Sequence, residues 1–182
     1  MHRKDLLLKI NNYSPENSEE KLFRADFLSF IYANDKCFDR SLLEGHVTGS
    51  AWIINECRDK ALLTHHKKLD RWLQLGGHAD GEPDIVKVST NEAVEESGLS
   101  SLKLFSTDIF DLDIHPIPEH KGIPKHLHYD VRFLFIADED ENLIVSNESK
   151  NLNWIPFNKL QEYTQNNESI LRMAKKSKEI LP

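Results

Sequence analysis

Cysteine is scarce in this chain: Cys37 and Cys57 are the only two among 182 residues. They form no CxxC pair and match no zinc-ligand spacing, which excludes a disulfide-built fold and a cysteine metal cluster. They read as free thiols that behave as small hydrophobes in a reducing compartment. Long apolar runs are missing too. No stretch approaches the roughly 20 apolar residues that cross a bilayer. The first residues, MHRKDLLLKINNYSPENSEEK, hold too short an apolar run for a signal peptide. The expected location is the cytoplasm, with no membrane partner. Dense Lys/Arg runs are also absent and the formal charge is −7, so nothing marks a nucleic-acid footprint. There is no internal repeat and no low-complexity tract.

What remains is an ordinary globular composition, 39% hydrophobic and 29% charged. The length fits one domain with an extension and is enough for a core of useful size. An acidic protein that handles anionic substrates needs cations to bridge like charges.

Along the chain, residues 3–11 and 17–34 have helical character, and Leu22, Phe23, Phe27, Phe30 and Ile31 recur at helical spacing. We read residues 1–44 as a helical extension and residues 45–182 as the main domain. From His46 onward the pattern is that of strands. HVTGSAWIINE and KALLTHH form two, joined by a polar turn, and Trp72–Leu75 forms a short one. A helix follows over 84–97, with Pro83 in its first turn, Asp84 at the positive end of its dipole and Gly98 as its stop. Residues 102–114 and 126–138 are expected as strands, with short ones at 143–145 and 154–155, then helices over 157–164 and 167–180. Strands around one central helix, with helices at both ends, predict an α/β sandwich with a mixed sheet.

The central helix carries the chemistry. Glu92, Glu95 and Glu96 stand three and four positions apart, so a helix gathers their carboxylates on one face. Like charges at these offsets repel, which makes little sense for stability alone. A hard divalent cation such as Mg²⁺ or Mn²⁺, which prefers carboxylate oxygen, gives the arrangement a purpose. The glycine pair Gly76-Gly77 precedes the helix.

This segment, GGHADGEPDIVKVSTNEAVEESGL, resembles the Nudix box, in which a glycine, a spaced glutamate and an Arg-Glu-aliphatic-any-Glu-Glu-any-Gly-aliphatic run recur. Gly77, Glu92, Ala93, Glu95, Glu96, Gly98 and Leu99 fall at the matching offsets. Pro83 stands where the first glutamate belongs and Asn91 where arginine belongs, and Leu75 replaces a common proline. The segments GSAWII, RWLQLGGH, DIHPIP, HLHYDVRF and ESKNLNWIPFNKL are similar to a bacterial subgroup of Nudix hydrolases. The resemblance implies a Nudix-like α/β/α sandwich. It implies Mg²⁺ or Mn²⁺ held by Glu92, Glu95, Glu96 and the Gly76 carbonyl. It also implies catalytic work by Glu92, Glu96 and Glu148, the last in the loop before Trp154. The expected reaction is hydrolysis of the pyrophosphate in a nucleoside diphosphate linked to another moiety, or in a nucleoside triphosphate. A homodimer fits the same picture. The alternative is a nucleotide-binding regulatory module that keeps the fold without catalysis. An RNA-decapping role lacks a basic stripe, and an isoprenoid isomerase lacks its cysteine.

The strand 126–135 alternates. Leu127, Tyr129, Val131, Phe133 and Phe135 share one face, while His126, His128, Asp130 and Arg132 share the other. Two readings stay open for the polar face. In one, Arg132 forks onto a phosphate and His128 acts as base or hydrogen-bond donor. In the other, Asp130 and Arg132 form a structural pair beside solvated histidines. The preceding segment HPIPEHKGIPKH is a proline-shaped loop in which Lys121 and Lys125 are candidates for holding phosphate. His65 and His66 are expected to be structural, His78 to brace the loop, and Trp52 and Trp72 to lie in the core.

Overall fold

The computed structural model describes residues 2–120 and 122–180. Its elements are α1 (Lys4–Asn12), α2 (Ser18–Ala33), β1 (Gly45–Asn55), β2 (Lys60–His66), β3 (Arg71–Leu73), β4 (Leu75–His78), α3 (Ile85–Ser97), β5 (Lys103–Leu104), β6 (Asp111–Ile117), β7 (His126–Ala137), β8 (Ser149–Pro156), α4 (Leu160–Tyr163) and α5 (Glu168–Ile180). Hydrogen-bonded neighbours run β3-β2-β1-β7-β5, with β4 on β1, β6 on β7 and β8 on β2. The fold is mixed α/β, as the sequence predicts. No helix among the described residues is long and apolar enough to cross a membrane.

The chain forms two compact units. The first comprises residues up to 50, 77–89 and 106–133, and the second comprises residues 51–76, 90–105 and 134 onward. β1, α3 and β7 each contribute residues to both.

In the first unit α2 starts at a cap written in the sequence. The Asn17 side chain accepts the Glu20 amide at 2.9 Å, and Asn17 Nδ2 donates to Glu20 Oε1 at 3.0 Å. Glu20 is fully buried, and the Tyr13 hydroxyl donates to its other oxygen at 2.6 Å. The apolar face of α2 lies on the sheet. Phe30 stacks on Tyr129 with centroids 3.9 Å apart, and Phe27 meets the same ring edge-on at 5.3 Å. β6 and β7 pair antiparallel, with Asp111 opposite Arg132 and His115 opposite His128. The start of α3 presses on β1 at Gly49, where a Cβ would come within 3.0 Å of Ile85 and Val88.

The second unit is built on β2, which pairs with β1, β3 and β8. Trp52, Ile53, Leu62, Phe135, Ile155, Leu160, Ile170 and Met173 form its core. The buried Trp52 indole donates to Ser177 of α5 at 2.8 Å, so its one polar atom is satisfied. Trp72 is only half-buried and stacks on His65, whose Nε2 pairs with Asp70.

Several local expectations are corrected. The strand predicted over 102–114 is two strands, β5 and β6, because Ser106 and Asp108 close a tight turn between them by exchanging hydrogen bonds at 3.0 Å. Residues 72–75 divide between β3 and β4, with Gln74 outside both. Residues 143–145 form no strand: the Ile144 amide donates to Ser97 at 2.7 Å, which ties this segment to the end of α3. Within 157–164 only Leu160–Tyr163 is helical, after a turn at 157–159. Pro83 precedes α3 rather than lying in its first turn.

Candidate functional site

α3 begins where the chemistry of its first residues dictates. Asp84 is its cap, with Oδ1 accepting the Lys87 amide at 3.1 Å. Glu82 braces the same turn, accepting the Asp84 amide at 3.1 Å and pairing with Lys87 at 2.6 Å. This acid sits beside Pro83, where the box pattern has its first glutamate. The helix ends at Gly98, whose φ is +72° and whose amide donates to Val94 at 2.8 Å.

Between these ends the second unit holds the carboxylates. Glu92 is half-buried, Glu95 is exposed and Glu96 is 9% exposed. The Gly76 amide donates to Glu96 Oε2 at 2.8 Å. Burial pushes the Glu96 carboxyl up to about 7, and the charges of Glu92 and Glu148 push the same way; only the Gly76 amide opposes them. Glu148 is exposed on the turn entering β8, and its carbonyl accepts the Lys67 amide at 2.9 Å. Glu96 thus feels the charges of both Glu92 and Glu148, and the approach of Glu148 is not revealed by its sequence position.

No protein-family model matches the sequence, and no curated protein is similar to it. Solved structures are similar in fold. An Ap4A hydrolase of C. elegans aligns at 17% identity over 74% of this chain and 96% of its own, with a TM-score of 0.60. A Nudix-family hydrolase of Clostridium perfringens aligns at 24% identity over 74% and 97%, with a TM-score of 0.53. The dihydroneopterin triphosphate pyrophosphohydrolase of E. coli aligns at 12% identity over 71% and 92%, also at 0.53.

The chain has the Nudix fold.

Within this Nudix fold, other residues proposed from sequence are placed as follows. Arg132 is 2% exposed, and its guanidinium faces Asp130 at 2.7 Å, Asp111 at 3.1 Å and Asp113 at 3.2 Å. Burial alone would lower its proton affinity, but the three carboxylates hold it above the ordinary arginine value. Thr48 and Ser50 donate to Asp130 Oδ1 at 2.9 and 2.7 Å. Of the two readings open for Arg132, the geometry realises the structural pair: its fork is turned onto protein carboxylates inside the fold, so the expectation of a phosphate clamp is corrected. His128 is half-buried with Nε2 unpartnered, and burial drives its imidazole down to about 2. Lys125 is exposed on the loop before β7, and Lys121 lies outside the described residues.

Sequence reasoning missed His46. It is buried on β1, and its ring lies 5.1 Å from that of His78 and 4.8 Å from that of His128. No local pattern marks it, because its partners come from separate elements.

Proposed function

We propose that this chain is a divalent-metal-dependent pyrophosphohydrolase acting on a small nucleotide-type substrate, either a nucleoside diphosphate linked to another moiety or a nucleoside triphosphate. The observation that carries the reading is the buried Glu96 carboxylate, gathered with Glu92 and Glu95 on one helix face. Burying an acid beside other acids costs stability unless a cation joins them. The donor set is all oxygen, which fits Mg²⁺ or Mn²⁺. Glu92, Glu95, Glu96 and the Gly76 carbonyl would hold the ion. When bound, it supplies positive charge that draws electron density from phosphoryl oxygens. Neighbours of the same fold include proteins named as an Ap4A hydrolase and a triphosphate pyrophosphohydrolase, which supports this reaction class.

The chain's own residues do the rest. Gly76 orients Glu96 through its amide, so one carboxylate oxygen has a fixed direction. Glu92 shares the helix face and Glu148 reaches the same field. Either carboxylate accepts the proton of the attacking water. We assign residues 45–182 to the Nudix domain and residues 1–44 to a helical extension. The setting is cytoplasmic, with a homodimer as the assembly and no nucleic-acid partner.

The test is turnover of a panel of nucleotide derivatives with Mg²⁺ or Mn²⁺, with products identified by mass. Hydrolysis at a phosphoanhydride that Glu96→Gln abolishes supports the reading. A Glu96→Gln variant as active as the wild type overturns it. Pro83 and Asn91 favour one competitor, the non-catalytic module. Calorimetry showing tight nucleotide binding, with no turnover at any metal concentration, would select it.

A further inference from the structure

The first unit contains a second constellation that the carboxylate chemistry does not use. His46 comes from β1, His78 from the end of β4 and His128 from β7. Their rings form a near-equilateral triangle, with centroids 5.1, 4.8 and 5.1 Å apart. One ring nitrogen from each lies within 4.8 Å of the other two. His46 is 3% exposed, and its ring nitrogens make no well-aligned hydrogen bond, only a loose approach to the Leu42 backbone; Nε2 of His128 is buried without a partner as well. Buried polar atoms in native proteins are nearly always paired, so orphaned nitrogens in one cluster call for a ligand.

We propose that His46, His78 and His128 form a binding site for a borderline divalent transition-metal ion of the Zn²⁺ type.

Three imidazoles and no carboxylate make a donor set that suits Zn²⁺, Co²⁺ and their neighbours, and that Mg²⁺ and Ca²⁺ avoid. Tetrahedral coordination with metal–nitrogen bonds of about 2.0–2.1 Å needs nitrogens roughly 3.3 Å apart. Three atoms already within 4.8 Å of one another reach that by moving inward about 1 Å or less. Desolvation and mutual repulsion keep the His46 and His128 rings neutral, the form in which imidazole ligates. Three histidines leave a fourth tetrahedral position for water or a ligand oxygen. Three histidines with one open position is the ligand count of a reactive zinc centre rather than a closed structural one. His126 stacks on His46 at 5.0 Å, and its Nδ1 is held by the Pro124 carbonyl at 2.8 Å, so it packs the cluster from outside the ligand set.

The experiment uses the full chain stripped of metal and kept in excess Mg²⁺, which saturates oxygen-donor sites. Zn²⁺ binding is followed by calorimetry and Co²⁺ binding by its visible absorption. The wild type takes up one ion per chain, with the intense bands of four-coordinate Co²⁺. His78→Gln and His128→Gln each weaken binding at least 10-fold, while Glu92→Gln and Glu96→Gln leave it unchanged. Because the histidine and carboxylate variants read separately, failure here is distinguishable from failure of the hydrolase reading. Should a histidine variant not fold, wild-type histidine ring-proton NMR carries the test, since Zn²⁺ must shift three imidazoles. No uptake over Mg²⁺, affinity indifferent to the histidines, affinity lost with the carboxylates, or unshifted ring protons each overturn the proposal.

Discussion

The backbone amide of Gly76 donates to Glu96 Oε2 at 2.8 Å, joining the glycine pair to the acid twenty residues later. One amide does not offset the burial of that acid beside Glu92 and Glu148, so its carboxyl rises from 4.5 to about 7. Without metal, the folded state therefore holds this proton more tightly than the unfolded chain does. The resulting stability is complete below pH 4.5 and is lost as pH climbs through about 7, an expected loss of about 3 kcal/mol. Denaturant titrations in chelator should show wild type falling relative to Glu96→Gln across that interval. Parallel pH profiles for the two proteins contradict it.

Arg132 sits among Asp111, Asp113 and Asp130 with almost no solvent contact. Arg132→Met leaves three buried carboxylates without their cation, at an expected cost of about 3–5 kcal/mol. Urea unfolding measures it. A loss below about 1 kcal/mol would mean that solvent, not Arg132, neutralises the cluster.

The stacking of Tyr129 on Phe30 ties α2 to β7. Tyr129→Ala should cost about 3–4 kcal/mol in thermal or urea unfolding, as expected for deleting a buried aromatic ring. Tyr129→Phe should cost well under half of that. Equal losses would show that the hydroxyl, not the ring, carries the contact.

Gly98 combines a φ of +72° with a close neighbour: a Cβ there would lie 2.7 Å from Ile144. Gly98→Ala should destabilise by about 1–3 kcal/mol through strain and overlap. Adding Ile144→Gly, which removes every Ile144 side-chain atom in that overlap, should recover the steric part and leave the backbone part. Unfolding of the single and double variants separates the two, and a double variant no better than the single would remove the steric argument.

The carboxylate face was legible in the sequence because helical periodicity is local: three glutamates within five residues need only one helix to meet. The stop of α3 was read for the same reason, since it depends on a few adjacent residues; the cap of α2 is just as local, yet it was not read. The Arg132 cluster was half legible. Strand alternation puts Asp130 and Arg132 on one face, but Asp111 and Asp113 arrive through the β6–β7 register, which no single segment encodes. The histidine triangle was invisible, because β1, β4 and β7 each supply one ring and only the sheet brings them together. The split of 102–114 was missed because a Ser–Asp turn interrupts a run whose flanks still look like one strand.

The most direct test of the central claim is anomalous diffraction from crystals soaked in Mn²⁺. The account predicts a Mn²⁺ peak bound by Glu92, Glu95, Glu96 and the Gly76 carbonyl, and the loss of that peak in Glu96→Gln. Crystals that diffract well and leave those carboxylates bare at saturating Mn²⁺ would contradict it.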